Sequence, residues 1–172
     1  MIYMAIGANL PNYRGTEPLQ TCRWAVARLA TLPGLSLAGV SRWYDSAPIP
    51  PSDQPRYING VAALAGTATP EWLLAAIQRI EAEAGRVRGV RDAARVLDLD
   101  IIDLDGLVRD APDPILPHPC ADRRGFVLYP LRDVAEAWVH PRLGTPIARL
   151  IAALPGQDIR MVDEGGGRDL PG

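Results

Sequence analysis

The chain has 172 residues, of which 48% are hydrophobic and 22% charged, with a formal charge of −2. That describes one globular domain with a substantial core and gives no electrostatic case for nucleic-acid binding. All eighteen basic residues are Arg, which excludes a Walker-type lysine, a protein-kinase strand lysine and a Schiff-base lysine.

Ile2 to Ile6 reads as a first strand running into the turn-rich Gly7-Ala8-Asn9-Leu10-Pro11-Asn12. Its start lacks a basic signal-peptide region, and no run in the chain is apolar for the length of a membrane helix. A cytoplasmic protein without membrane contact is expected. Thr16 or the residue beside it is placed to cap a helix carrying Leu19, Cys22, Val26 and Leu29 to about Leu32, closed by Pro33-Gly34. Leu35 to Tyr44 reads as a second strand. The prolines from Ser46 to Pro55 preclude regular structure and predict a long loop of the functional kind. Tyr57 to Ala65 resumes a strand. Thr69-Pro70 opens a second helix, with Thr as cap and Pro in the first turn, running through Leu73, Ile77 and Ile80 to about Gly85.

An Arg- and Gly-bearing loop, Gly85 to Arg95, leads into the most informative stretch, Arg95-Val96-Leu97-Asp98-Leu99-Asp100-Ile101-Ile102. Leu97, Leu99 and Ile101 alternate with Asp98 and Asp100, the period of a strand with one buried face. Same-face side chains stand roughly 6–7 Å apart, so both carboxylates project together. Asp is a poor strand former, and two acids so close resist joint ionisation unless a cation neutralises them. Mg²⁺ suits such a pair, because it takes one or two carboxylates, waters and phosphate oxygens. Arg86, Arg88, Arg91 and Arg95 precede the pair, and His118, Arg123 and Arg124 follow it. Carboxylates for a metal ringed by arginines for anionic oxygens predict a phosphoryl-transfer site.

Asp105-Gly106 is a hairpin signal joining this strand to Leu107-Val108. Helical turns are expected within Asp122 to Ala135, irregular chain from Trp138 to Gly144, and a last helix from Pro146 to Leu154. Cys22 and Cys120 lack metal-ligand spacing and are expected to be free thiols. The order β-α-β-β-α-β predicts an α+β fold, a ferredoxin-like βαββαβ sandwich. Helices pack on one face of its antiparallel sheet, with an extra C-terminal helical segment. Residues 1–160 are expected to form one domain, and residues 161–172 a flexible tail.

Several runs then coincide: Ala5-Ile6-Gly7-Ala8-Asn9-Leu10, Asp53-Gln54-Pro55-Arg56-Tyr57-Ile58-Asn59, Gln78-Arg79-Ile80-Glu81, Gly85-Arg86-Val87-Arg88, the Asp98 strand, Leu116-Pro117-His118-Pro119 and Arg124-Gly125-Phe126-Val127-Leu128. In this order, to about Leu154, the chain resembles the 6-hydroxymethyl-7,8-dihydropterin pyrophosphokinase family of folate synthesis. The resemblance implies transfer of the β,γ-diphosphate of ATP to the pterin hydroxymethyl oxygen, with release of AMP. It implies two Mg²⁺ ions on Asp98 and Asp100, clamping an in-line displacement. Arg86 and Arg95 match positions that contact the triphosphate and steady developing charge, so these two and the Asp pair form the expected catalytic set. His118, Arg124, Gln78 and Glu81 match positions near the nucleotide. Tyr57 and Phe126 match a pair stacking on the pterin, Asn59 the amide that reads its edge, and Ser46 and Ile49 loop positions in contact with it. The Ser46 and Gly85 loops are expected to close over both substrates.

Two departures stand out. Asp92-Ala93-Ala94 replaces a frequent Trp-Gly-Pro, removing an aromatic contribution to the lid, and Ala47 replaces a frequent Pro. The expected partners are small molecules, and a monomer is expected. Two rival readings remain at this stage. One is a non-catalytic pterin- or nucleotide-binding paralogue. The other is a different two-metal nucleotidyl transferase or phosphohydrolase, against which the Tyr57, Asn59 and Phe126 set speaks.

Overall fold

The computed structural model describes residues 1–86 and 95–162. The strand β1 (Ile2–Ala8) is followed by the helix α1 (Pro18–Ala30), the strands β2 (Leu35–Val40), β3 (Tyr44–Ser46) and β4 (Tyr57–Gly66), the helix α2 (Pro70–Glu83) and the strand β5 (Asp98–Leu104). A 3-10 turn at Ala121–Arg123 then precedes α3 (Gly125–Val134), α4 (Ile147–Ala152) and β6 (Ile159–Met161). Every strand pairing is antiparallel, in the order β5-β1-β4-β3-β6, with β2 also on β4. The α+β class is as expected.

Alternation along β1 sets the layers. Ile2, Met4 and Ile6 point to one face, where they are buried with Cys22, Ala25 and Leu29 of α1 and Leu73, Ile77 and Ile80 of α2. Tyr3 and Ala5 point to the other, packed on Val127, Leu128 and Leu131 of α3 and Ile147 and Leu150 of α4. The two longer helices thus share one face, and the C-terminal helical segment covers part of the opposite one. What it leaves open is the end of the sheet where β5 begins.

Four local expectations are corrected or extended. The strand expected over Leu35 to Tyr44 is two strands that follow one another along the same edge of β4. Between them Trp43 folds over Gly60, where a Cβ would meet the indole at 2.5 Å, and reaches the α1/α2 core. Of Thr16 and its neighbour, the N-cap position of α1 falls on the neighbour, Glu17. The helix starts at Pro18 after Glu17, without a side-chain cap, while Thr16 is held in the preceding turn by the Asn12 carboxamide at 2.9 Å. Thr69 does cap α2, accepting from the Trp72 N–H at 3.3 Å. The Asp105-Gly106 turn forms with positive φ at both residues and is closed by the Leu107 N–H on the Leu104 carbonyl at 2.9 Å, but no strand follows through Leu107-Val108. The chain swings out, and His118 returns to β5 by donating its N–H to the Ile102 carbonyl at 2.9 Å. Finally, Ile159–Met161 pairs with β3 as a short strand that the polar C-terminal composition concealed. Arg88, Arg91 and the Asp92-Ala93-Ala94 departure, like residues 163–172 of the expected tail, lie outside the described residues.

Candidate active site

Strand register assembles the site on the open face. Asn59 of β4, Gly7 of β1 and Asp98 of β5 form one row, and Val61, Ala5 and Asp100 the next. Neighbouring strands lie about 4.8 Å apart, so the amide and the carboxylates face each other across a floor where β1 supplies only small residues. A Cβ on Gly7 would stand 3.1 Å from Asn59 Oδ1. The cleft above that floor is lined by Ser46, Ile49, Tyr57, Asn59 and Phe126 and by Arg95, Asp98, Asp100, His118 and Arg124.

The acidic side is a charge lattice. Asp98 Oδ1 accepts from Arg86 and from Arg95, each at 2.9 Å. Arg86 also pairs with Glu81, whose carboxylate accepts the Leu99 N–H at 2.8 Å. Asp100 keeps its side chain 42% exposed to the cleft, 3.7 Å from His118 Nε2. Its pKa is raised, first by desolvation in the concave wall and then by the Asp98 charge, against the pull of His118, Arg124 and Arg95. An acid disfavoured as an anion beside a second acid is a hard-oxygen pair that a divalent cation would stabilise. Among the described residues no group of three or more His, Cys, Asp or Glu side chains gathers to hold a metal. An ion on this pair would therefore complete its shell with water or ligand oxygens, as suits Mg²⁺.

On the other side, the Asn59 amide donates to Ser46 Oγ at 2.7 Å, which fixes how it faces the cleft. The Tyr57 hydroxyl lies 3.4 Å from Gln54 Oε1, and the Arg124 guanidinium sits 5.6 Å above the Phe126 ring. These rings offer flat apolar surface beside polar edges, the combination that holds a planar heterocycle.

Gln78, Glu81 and Arg86 do not line the cleft. Gln78 is half-buried on α2. Glu81 is buried, in line with Leu73 and Ile77 at helical spacing, and it supports Arg86 and β5 from behind. That in-line position was a readable sign that Glu81 faces inward. Asn9 is a supporting residue the sequence reading passed over as a turn residue. Buried at the end of β1, it accepts from the Arg95 N–H at 2.7 Å and donates to the Pro55 carbonyl at 3.1 Å. A polar residue directly after a buried strand was its only signal.

Such a cleft, with acids and guanidinium groups opposite an amide and two rings, has the chemistry of a phosphoryl-transfer enzyme. Comparison with known proteins narrows the class. The family model for 7,8-dihydro-6-hydroxymethylpterin-pyrophosphokinase (HPPK) matches residues 3–136. The 2-amino-4-hydroxy-6-hydroxymethyldihydropteridine pyrophosphokinase of Pseudomonas aeruginosa is 42% identical over 158 residues, covering 92% of this chain and 94% of that protein. The folic acid synthesis protein fol1 of Schizosaccharomyces pombe is 33% identical over 159 residues, 92% of this chain but 21% of the relative. The HPPK-DHPS of Plasmodium falciparum, solved as the wild type with STZ-DHP, shares the fold with a TM-score of 0.64 at 12% identity, over 88% of this chain and 42% of that one. The chain belongs to the 7,8-dihydro-6-hydroxymethylpterin-pyrophosphokinase family and is a pyrophosphokinase.

Proposed function

We propose that the cleft transfers the β,γ-diphosphate of ATP to the hydroxymethyl oxygen of 6-hydroxymethyl-7,8-dihydropterin, a step of folate synthesis. The hydroxymethyl oxygen bonds to the β phosphorus, the bond from that phosphorus to the oxygen bridging the α phosphate breaks, AMP leaves, and the hydroxyl proton passes to solvent. Family membership supports the reaction class. The observation that carries the reading is the juxtaposition across β1 of an acid pair and an amide with aromatic neighbours.

The pterin lies between Tyr57 and Phe126, with Asn59 reading its nitrogen-rich edge and Ser46 holding the amide's orientation. Ile49 and the Ser46 loop close the outer wall. Arg95, His118 and Arg124 face the triphosphate from the β5 side, and guanidinium groups preorganised there favour the developing negative charge. Arg86, tethered by Glu81, sets Asp98 from behind. Asp98 and Asp100 are the residues to hold Mg²⁺, two ions in this reading, which when bound would neutralise phosphate oxygens. Gln78 keeps a nucleotide-side role only through α2. No described helix is long and apolar enough to cross a membrane.

AMP release from ATP and Mg²⁺, followed with and without hydroxymethyl-dihydropterin, tests the reading. Pterin-dependent AMP is expected. Asp98→Ala and Asp100→Ala should lose it by several orders of magnitude while keeping the fold. AMP formation indifferent to the pterin, or unaffected by either substitution, would overturn the assignment.

A further inference from the structure

The segment Gln157 to Val162 lies beyond the residues matched by the family model, which end at 136, yet it touches both walls of the cleft. On one wall it pairs as β6 with β3, Ser46 opposite Ile159 and Tyr44 opposite Met161. The Asp158 carbonyl accepts the Ala47 N–H at 3.0 Å, a donor that proline at this position would lack. The Asp158 carboxylate takes both ends of the Arg56 guanidinium, at 2.7 and 3.0 Å. Residues 47 and 56 bracket the proline-rich loop, so the segment fastens it at entry and exit.

On the other wall the same segment caps α3. Arg124, which precedes the helix, makes no side-chain cap bond, leaving the Gly125 N–H among the donors a helix start cannot satisfy itself. Gln157 Oε1 accepts that N–H at 2.8 Å from 32 residues downstream, and its amide nitrogen reaches the Arg123 carbonyl at 3.3 Å. Gly125 makes room for this, since a Cβ there would stand 2.5 Å from Gln157 Oε1. Gly125 separates Arg124 from Phe126, which both line the cleft. The Asp158–Arg56 pair is exposed on the Asp158 side, 69%, and contributes little by itself. The capping bond and the backbone pairing carry the fastening.

We propose that Gln157 is a positioning residue for the pterin: the strap Gln157–Val162 ties the Ser46–Arg56 loop to the start of α3 and sets the gap between Tyr57 and Phe126. This rests on the functional reading above, through the assignment of the pterin to that gap. Freeing the strap widens the gap without touching the acid pair, so pterin binding weakens while transfer from bound substrates persists.

The test compares Gln157→Ala, Gln157→Glu (which keeps an acceptor for the Gly125 N–H) and Gly125→Ala in the full chain. Pterin and ATP are titrated separately, and amide exchange is followed at Gly125 and Ala47. For Gln157→Ala we expect the pterin KM to rise about tenfold, a difference of about 1.4 kcal/mol. The ATP KM and kcat should change less than that, through Arg124 beside the freed Gly125 N–H, and exchange should be faster at both amides. Gln157→Glu, which keeps the bond to the Gly125 N–H but loses the one to the Arg123 carbonyl, should restore the pterin KM in part. Gly125→Ala should raise it, and combining it with Gln157→Ala should add nothing further. A pterin KM unmoved by Gln157→Ala, or a rise that Gln157→Glu does not reduce at all, overturns the proposal. A wild-type chain that fails to turn over pterin and ATP sinks the functional reading instead. Exchange at Gly125 and Ala47 then decides on the strap: faster in Gln157→Ala upholds it, unchanged refutes it.

Discussion

Asn9 holds Arg95 by its backbone. Its Oδ1 accepts the Arg95 N–H at 2.7 Å while its own N–H donates to the Arg95 carbonyl at 3.0 Å. This reciprocal pair, closed around a buried amide, sets where the guanidinium leaves the chain to meet Asp98 at 2.9 Å. Because Asn9 also donates to the Pro55 carbonyl, one side chain ties the loop carrying Tyr57 to the residue that faces the acid pair.

Asn9→Ala therefore strips partners from the Arg95 N–H and the Pro55 carbonyl at once. Unsatisfied buried backbone groups cost about 1–3 kcal/mol, which urea unfolding would register. Turnover should fall about tenfold to a hundredfold through misplacement of Arg95. Unchanged kcat in a destabilised but folded Asn9→Ala would show that Arg95 does not depend on this clasp.

Gly7 keeps the cleft floor low between Asn59 and Asp98. In Gly7→Ala the new methyl group meets Asn59 Oδ1 at 3.1 Å, and the amide, already committed to Ser46, has to shift. The expected outcome is a pterin KM raised about tenfold, the scale of one methyl group in a tight pocket. The ATP KM should change less, and steady-state titration of each substrate separates the two.

Glu81 gives the protein a pH-dependent term of definite sign. Burial foremost, reinforced by Asp98 and Asp100 and opposed by the Leu99 N–H and Arg86, pushes its pKa from 4.5 up to about 7. The folded state therefore holds this proton more tightly than the unfolded chain, and stability from this group falls as pH rises from about 4.5 to about 7. Below that window the group is neutral in both states. Glu81→Gln, which keeps an acceptor but cannot ionise, should gain on the wild type as pH is raised from 5 to 8. Denaturant unfolding at the two pH values measures the difference, and a constant difference would refute the raised pKa.

The two free cysteines should differ sharply in reactivity. Cys22 is wholly buried in the α1 face of the core, and burial pushes its thiol up to about 12, so it presents almost no thiolate at neutral pH. Cys120 is half-buried, two residues beyond His118. An aromatic disulfide reagent should titrate one thiol quickly in the native protein and the second only on unfolding. Two fast thiols would mean that α1 opens readily.

Much of the site was legible before the structure because its elements are periodic. Asp98 and Asp100 alternate with Leu97, Leu99 and Ile101, and a strand can only put them on one face. The tight company of Arg86, Arg95, His118 and Arg124 made the chemistry readable, and the structure brings all but Arg86 to the cleft lining. Local pattern misled where tertiary packing competes with it. Leu35 to Tyr44 looks like one strand, but Trp43 gains more by covering Gly60. Asp105-Gly106 looks like a hairpin, but Leu116 pairs with Arg109 and it is His118 that bonds to β5.

What the sequence determined by itself is the set of chemical groups and their periodic faces: the acid pair, the arginines, the aromatic rings and amide, the total absence of lysine, and the α+β order. Side-chain period and residue chemistry are local properties, carried by neighbours along the chain. Only the tertiary structure decided that Asn9 would clasp Arg95, that Glu81 would turn inward to hold Arg86 and the Leu99 N–H, and that Gln157 would cap a helix 32 residues before it. Those pairings depend on strand register and on which face each helix covers, distances that no local pattern encodes.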